Sequence, residues 1–131
     1  SAATMGATAF QKGLGAIHAL SHPVGSLFNT HHGTTNAVCL PEVLKMNAPA
    51  IRDRFDMAAS YIGVEGGFDG FCAFVQEFND SLGIPRRLKE MGVTDNRIEE
   101  LVEMALQDPS CSGNPVNLTT DSVRALFESC I

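Results

Sequence analysis

The stretch GLGAIHALSHPVGSLFNTHHGTTNA, residues 13–37, contains every histidine of this 131-residue chain. The four are His18, His22, His31 and His32. Imidazole binds metal ions and exchanges protons near neutral pH, so this concentration indicates a metal site or a proton-transfer site. A polar loop that holds several histidines by chance is the third explanation.

The first two histidines, His18 and His22, are four residues apart. On one helix their Cβ atoms would lie about 6 Å apart on the same face. Two imidazoles at this spacing bind zinc in the HExxH proteases, where the intervening glutamate serves as the base. The residues between them here are Ala-Leu-Ser, so that class of protease is excluded. A packed or solvated pair without metal remains an alternative for this spacing.

The next candidate, His32, follows His18 by fourteen residues. On an unbroken helix it would point in nearly the same direction, about 21 Å further along the axis. Nitrogens that share one metal ion lie within about 4 Å of each other, so the helix has to break if both bind one ion. Residues that could supply the break are Pro23, Gly25, Asn29 and Gly33. His31 is expected to lie in the loop and face elsewhere.

The composition is typical of a soluble globular protein. Hydrophobic residues make up 44% and charged residues 18%, and the length suits a single domain, residues 1–131. The net charge of −6 argues against nucleic-acid binding, which needs a basic face. Residues 1–50 hold only three charged side chains. Because polar residues and prolines interrupt this segment, we expect it to be buried in protein and not to span a membrane.

The four cysteines, Cys39, Cys72, Cys111 and Cys130, lie far apart and form no CxxC pair. Their spacing does not suit a structural zinc site. The chain shows no signal-peptide pattern and has enough core to fold without disulfides. We therefore predict reduced thiols in a cytoplasmic protein.

The apolar periodicity predicts an all-α fold with no strand and no internal repeat. Glycines and prolines, which disfavour helix interiors, set most of the predicted boundaries. Residues 2–21 are apolar almost all round, which predicts a central buried helix. The other predicted helical segments are 23–29, 34–47 with an interruption at Pro41, 50–62, 68–82, 86–91, about 95–107 after Thr94, and a last helix from Thr119 or Thr120 to Ser129.

The predicted helix 68–82 carries a stripe of large apolar residues. Phe71, Phe74, Val75 and Phe78 recur at helical spacing, so we expect them to face the core.

Two segments resemble one enzyme family. GLGAIHALSHPVGSLFNTHHGTTNAVCLPEVLKMN, residues 13–47, is similar to the second signature of the iron-containing alcohol dehydrogenases, with its His-x-x-x-His-Pro and later His-Gly. DPSCSGNPVNLT, residues 108–119, resembles the family's Asp-Pro and Asn-Pro loop before the last helix. The resemblance implies a bundle-like helical array, namely the C-terminal part of the helical domain of a dehydroquinate synthase-like fold.

The resemblance also implies roles for three histidines. His18 and His32 match two of the family's four protein ligands to a catalytic metal, usually Fe(II) and sometimes Zn. His22 matches a histidine near the nicotinamide end of NAD(P) and would be a catalytic proton carrier. The other two ligands, an aspartate and a histidine, lie upstream in the family and have no equivalents here. The family's α/β domain, which binds NAD(P), also has no equivalent in this sequence.

The sequence departs from the family pattern at three positions. His31 stands where proline is common, Glu42 where histidine is common, and Val116 where arginine often follows the Asn-Pro. None of these changes removes a metal ligand. They leave the substrate preference open, and Glu42 is either a functional carboxylate or a solvated helix residue.

The resemblance implies the C-terminal portion of an NAD(P)-dependent alcohol dehydrogenase that interconverts small alcohols and aldehydes or ketones and forms homo-oligomers. With two ligands and no cofactor pocket, this chain alone is expected to be inactive. Two alternatives remain open. One is a non-catalytic helical module that associates through its apolar N-terminal face, as the charge-poor first 41 residues suggest. The other is a small metal carrier that uses His18, His22 and His32.

Overall fold

The computed structural model describes residues 1–131 and is entirely helical, which confirms the predicted all-α class. Short 3₁₀ turns cover Leu88–Met91, Asp95–Arg97 and Pro109–Gly113. None of the helices combines the length and the apolar character needed to cross a membrane. The six α-helices are α1 (Ala2–Phe10), α2 (Ala16–Phe28), α3 (His32–Ile62), α4 (Gly67–Ser81), α5 (Ile98–Gln107) and α6 (Thr120–Cys130).

The longest helix, α3, corrects the prediction of two separate segments. It runs without interruption for 31 residues, about 46 Å, through both Pro41 and Pro49. Proline lacks an N–H, so Pro41 leaves the carbonyl of Ala37 without its helical donor. Asn79 of α4 replaces that donor, because its Nδ2 donates to the Ala37 carbonyl oxygen at 2.9 Å. The helix therefore continues at a proline whose missing hydrogen bond is supplied by a neighbouring helix.

The N-terminal region also differs from its prediction. In place of one buried helix over residues 2–21, the chain forms α1, a break, and α2. No residue of α1 is buried. The break falls where Gly13 adopts φ of +97° and Gly15 is extended at the N-cap of α2. Pro23, predicted to open a new segment, lies buried inside α2.

The main core lies among α2, α3, α5 and α6. Leu20 and Val24 of α2 meet Phe127 of α6 and Leu101 of α5 there, each at most 1% exposed. They belong to a cluster of 15 buried residues whose removal from water stabilises this part of the chain. Thr119, one of the two residues predicted to begin the last helix, caps α6 by accepting a hydrogen bond from the Ser122 backbone N–H at 3.2 Å.

A second, smaller core joins α3 and α4. It is built on Leu44, Phe68 and Val75. The predicted apolar stripe of α4 is wrong in part, because Phe74 is 41% exposed and Phe78 is 53% exposed. Since α4 packs mainly against α3, only a narrow face of it is covered.

The bond between Asn79 and Ala37 gives a test by double-mutant cycle. Asn79→Ala should lower the free energy of unfolding by about 1–3 kcal/mol, because it removes the donor to a carbonyl that Pro41 has already deprived of one. In a Pro41→Ala background the alanine amide restores the helical donor, so the same change should cost less. Urea denaturation followed by circular dichroism measures all four variants. Equal costs in the two backgrounds would contradict this account.

Candidate metal centre and histidine cluster

The histidine cluster is assembled from the ends of two consecutive helices. His18 lies in the first turn of α2, His22 lies one turn later, and His32 is the first residue of α3. Between the helices Asn29 adopts the left-handed conformation, with φ of 54°, and its N–H donates to the Gly25 carbonyl at 2.9 Å. Asparagine tolerates this conformation better than most residues. The chain therefore ends α2 there and starts α3 within a few residues.

The structure brings three of the four histidines together. The ring centroids of His18 and His32 are 5.2 Å apart, those of His18 and His22 are 5.6 Å apart, and those of His22 and His32 are 5.4 Å apart. His31 stays outside the cluster. Its Nδ1 accepts a hydrogen bond from the Thr34 backbone N–H at 3.3 Å and so caps α3.

The side chain of Asn36 marks the point that two imidazoles face. Its Nδ2 lies 3.4 Å from Nε2 of His18 and 3.1 Å from Nε2 of His32. Both rings thus present Nε2 to one place. The Oδ1 of Asn36 is buried without a hydrogen-bond partner, so the polar groups of this cluster are not fully satisfied by the chain itself.

The electrostatics favour neutral imidazole at His18. Burial lowers the pKa of His18, and the neighbouring His32 and His22 lower it further, whereas Asp108 raises it. The N-terminal end of a helix carries partial positive charge, which also disfavours an imidazolium in the first turn. Neutral imidazole is the form that binds a metal ion.

A carboxylate lies on the other side of the cluster. Asp108 Oδ2 is 2.8 Å from Nδ1 of His22, and its Oδ1 accepts a hydrogen bond from the Ser110 backbone N–H at 2.8 Å. Burial raises the pKa of the Asp108 carboxyl, but the hydrogen bonds from His22 and Ser110 outweigh it and leave the pKa below its ordinary value. Asp108 is therefore an ionised carboxylate at neutral pH.

The nitrogen and oxygen donors of the cluster suit a divalent metal of the iron or zinc type. No three histidine, cysteine, aspartate or glutamate side chains are placed so that they could hold one ion. Because the Nε2 atoms of His18 and His32 meet at Asn36 and no contact brings a His22 nitrogen there, this arrangement favours a pair of ligands, His18 and His32, over a site of three histidines.

Sequence reasoning missed Asn36 and Asp108 as members of this cluster. Asn36 lies one helical turn after His32, so an assumed helix start at His32 would have placed it on the same face. Asp108 lies 86 residues after His22 along the chain. No local spacing connects the two, and only the packing of the loop before α6 brings them together.

Asn114, from the same loop, fixes the start of α2 against α3. Its Oδ1 accepts hydrogen bonds from the Ala16 backbone N–H at 3.1 Å and from Asn47 Nδ2 at 3.0 Å. Its Nδ2 donates to Asn47 Oδ1 at 2.8 Å and to the Val116 carbonyl at 2.7 Å. One amide thus uses all its hydrogen-bonding capacity to join two helices and a loop.

The loop also approaches the chain before α2 very closely. A Cβ on Gly113 would lie 2.0 Å from the Leu14 carbonyl oxygen, so only glycine fits there. This contact and the Asn114 hydrogen bonds hold the first turn of α2, and with it His18, in a fixed position relative to α3.

An open, mostly apolar groove of about 370 Å³ begins beside His18. Its walls include Leu40, Leu44, Ile51 and Phe55. A groove of this kind suits the carbon skeleton of a small ligand or the side chains of a further protein segment.

Glu42, one of the departures from the family pattern, lies elsewhere. It pairs with Lys45 at 2.7 Å and lines a separate cavity of about 130 Å³ that contains no histidine. The structure therefore keeps this carboxylate apart from the histidine cluster. All four cysteines are free thiols, and none belongs to the cluster.

Comparisons with known proteins bear on the meaning of this cluster. The family model described as "Fe-containing alcohol dehydrogenase family, C-terminal" matches residues 1–131. The chain is 38% identical to 4-hydroxybutyrate dehydrogenase of Cupriavidus necator, with 98% of the chain and 36% of the relative covered. It is 32% identical to lactaldehyde reductase of Escherichia coli (strain K12), with 89% and 32% covered.

A solved structure of a related enzyme matches the fold of this chain. The crystal structure of a 1,3-propanediol oxidoreductase superposes with a TM-score of 0.84 at 30% identity, covering 90% of this chain and 33% of the other. The chain thus spans about a third of the length of the relatives that it matches.

Substitution of Asn114 tests whether its amide joins the two helices. Asn114→Ala should lower the free energy of unfolding by about 2–4 kcal/mol, because the Ala16 N–H and the Asn47 amide both lose a buried partner. Asn96→Ala is the matched control, since Asn96 is exposed and bonds only to the Thr94 side chain. Equal stability of the two variants in urea denaturation would show that Asn114 does not join the helices.

Proposed function

The chain belongs to the Fe-containing alcohol dehydrogenase family, and from this premise we propose that it is the metal-binding C-terminal part of an NAD(P)-dependent alcohol dehydrogenase. In this proposal residues 1–131 form one all-α domain. The reaction interconverts small alcohols with aldehydes or ketones. The observation that carries the proposal is the convergence of His18 and His32 through Nε2 on one point beside Asn36.

We assign His18 and His32 as two ligands of a divalent metal, Fe(II) or Zn. Imidazole nitrogen suits both ions, and the absence of thiolate in the cluster gives no preference between them. A metal ion held there supplies Lewis acidity, which lowers the pKa of a substrate hydroxyl. The two histidines are too few to complete a coordination shell, so the remaining ligands come from outside these 131 residues.

His22 is the proposed proton carrier. Its side chain is 42% exposed, so its ring is able to exchange protons with solvent. It stands within 5.6 Å, centroid to centroid, of both proposed ligands. An imidazole beside the reacting hydroxyl takes up its proton as the alcohol is oxidised and returns it in the reverse direction. NAD(P), bound mainly by a part of the enzyme outside this chain, accepts the hydride.

The groove beside His18 is the proposed seat of the substrate's carbon skeleton. Its apolar walls at Leu40 and Leu44 offer a surface for an aliphatic chain next to the proposed ligand. Relatives named as acting on 4-hydroxybutyrate and lactaldehyde support small alcohols and aldehydes as the substrate class. We further propose a cytoplasmic homo-oligomeric enzyme with no nucleic-acid or membrane partner.

A second candidate function, association without catalysis, is favoured by one observation. Helix α1 is exposed along its whole length, with Met5 71% and Phe10 61% exposed. Apolar side chains in this state favour contact with another protein surface. A light-scattering mass equal to one chain, with no binding of a hydrophobic dye, would count against this candidate.

Metal binding by histidine variants tests the ligand assignment. His18→Ala and His32→Ala should each weaken the binding of Fe(II) or Zn²⁺ by on the order of tenfold or more, since even residues outside the first shell contribute that much. His22→Ala should retain the metal, because only the Nε2 atoms of His18 and His32 meet at Asn36. Anaerobic calorimetric titration measures the affinity of each variant.

His31→Asn is the matched control for this series, because His31 lies outside the cluster and asparagine retains a capping side chain at the start of α3. A loss in His22→Ala equal to that in His18→Ala would support the three-histidine carrier and overturn the two-ligand assignment. No difference among the variants would show that the cluster does not bind metal in this chain.

The chain alone should not oxidise alcohols. With two of four ligands and no cofactor domain, we expect no alcohol-dependent reduction of NAD⁺ or NADP⁺ above the protein-free rate, even with added Fe(II). Absorbance of the reduced nicotinamide measures the rate. Turnover comparable to that of a full-length relative assayed in parallel would refute the assignment of cofactor binding to the missing part.

A further inference from the structure

We propose that Asp108 is the positioning residue that sets the tautomer of His22, with the hydrogen on Nδ1 and a free lone pair on Nε2. This inference deepens the proposed function and rests on it, since it concerns the residue assigned there as proton carrier. It is carried by the contact of 2.8 Å between Asp108 Oδ2 and His22 Nδ1.

The carboxylate is itself held in place. Asp108 is the N-cap of the 3₁₀ turn Pro109–Gly113, and its Oδ1 accepts a hydrogen bond from the Ser110 backbone N–H at 2.8 Å. The side chain of Asp108 is only 12% exposed. One oxygen is thus committed to the turn, and the other is left facing His22.

The chemistry of the pair decides which nitrogen carries the hydrogen. An ionised carboxylate accepts hydrogen bonds and donates none, so Nδ1 of His22 has to be the donor. In a neutral ring the hydrogen then sits on Nδ1, and the lone pair sits on Nε2. Asp108 is also the only side chain that forms a hydrogen bond with the His22 ring. The carboxylate therefore leaves Nε2 of His22, the nitrogen that can accept a proton, unoccupied.

The same geometry makes Asp108→Asn a sharp test. The Ser110 N–H requires an oxygen, so the asparagine should turn its Oδ1 to the turn and its NH₂ to His22. Nδ1 of His22 would then have to accept, and the hydrogen would move to Nε2. An equivalent aspartate-to-asparagine change that alters the histidine tautomer is known from serine proteases.

The tautomer is read directly by nitrogen NMR. We would record long-range ¹H–¹⁵N correlation spectra of the ¹⁵N-labelled chain, treated with a chelator, at a pH where the imidazoles are neutral. His22→Ala identifies the His22 signals among the four histidines. The expected result is the Nδ1–H form for His22 in the unmodified chain and the Nε2–H form in Asp108→Asn.

Two further variants complete the design. Asp53→Asn removes an exposed carboxylate of α3 that has no hydrogen-bond partner, so it controls for charge and should leave the His22 tautomer unchanged. Asp108→Ser retains a capping side chain but is too short to reach His22, so it should give a mixture of tautomers. It also serves as the test variant if Asp108→Asn does not fold.

The outcomes separate this inference from the proposed function. An Nε2–H form in the unmodified chain, or an unchanged tautomer in a folded Asp108→Asn, would overturn the role of Asp108. Neither result depends on metal, because the spectra are taken without it. Failure of metal binding in the His18 and His32 series would instead overturn the proposed function and leave the measured tautomer standing.

Discussion

Two imidazoles that one straight helix would hold about 21 Å apart can share an ion only if the chain reverses between them. The left-handed residue Asn29 makes this reversal possible, because it ends α2 and lets α3 begin three residues later. The first turn of one helix and the first residue of the next then face each other. The rest of the cluster depends on this arrangement. Asn36 lies between the two Nε2 atoms, and His22 is left on the outer side, where Asp108 reaches it.

The same reversal shapes the charge distribution around the cluster. Two helix N-termini meet at His18 and His32, and both disfavour an added positive charge. Asp108 supplies the compensating negative charge from a third part of the chain, and it bonds to His22 and to neither proposed ligand. The arrangement therefore separates the two proposed metal ligands from a histidine that is coupled to a carboxylate.

Much of the fold could be predicted from the sequence, because apolar periodicity and capping residues act locally. The all-α class, the limits of α4 and the cap of α6 at Thr119 follow from such signals. The errors arose where a distant contact overrides a local rule. Pro41 does not end α3, because Asn79 from α4 supplies the missing donor. Helix α1 is apolar but exposed, because burial depends on what packs against a helix and not on its composition alone.

In the candidate site, too, local sequence signals were predictive and long-range contacts were not. The histidine spacing predicted that a helix break was needed for His18 and His32 to meet, and the family resemblance suggested this pair as the metal ligands. Asp108 and Asn114 could not be placed, since each acts across a long stretch of chain. Residue type gave no signal for Asp108, because an aspartate before a proline is an ordinary turn residue.

The loop of residues 108–119 has a consequence for protein engineering. Within a few residues it supplies the partner of His22, the glycine that touches Leu14 and the amide that fixes the start of α2. An insertion or deletion there would displace the proposed proton carrier and a proposed metal ligand in the same step. Changes to the proposed substrate groove are therefore better directed to its walls, such as Leu40 and Ile51, which lie on α3 and outside this loop.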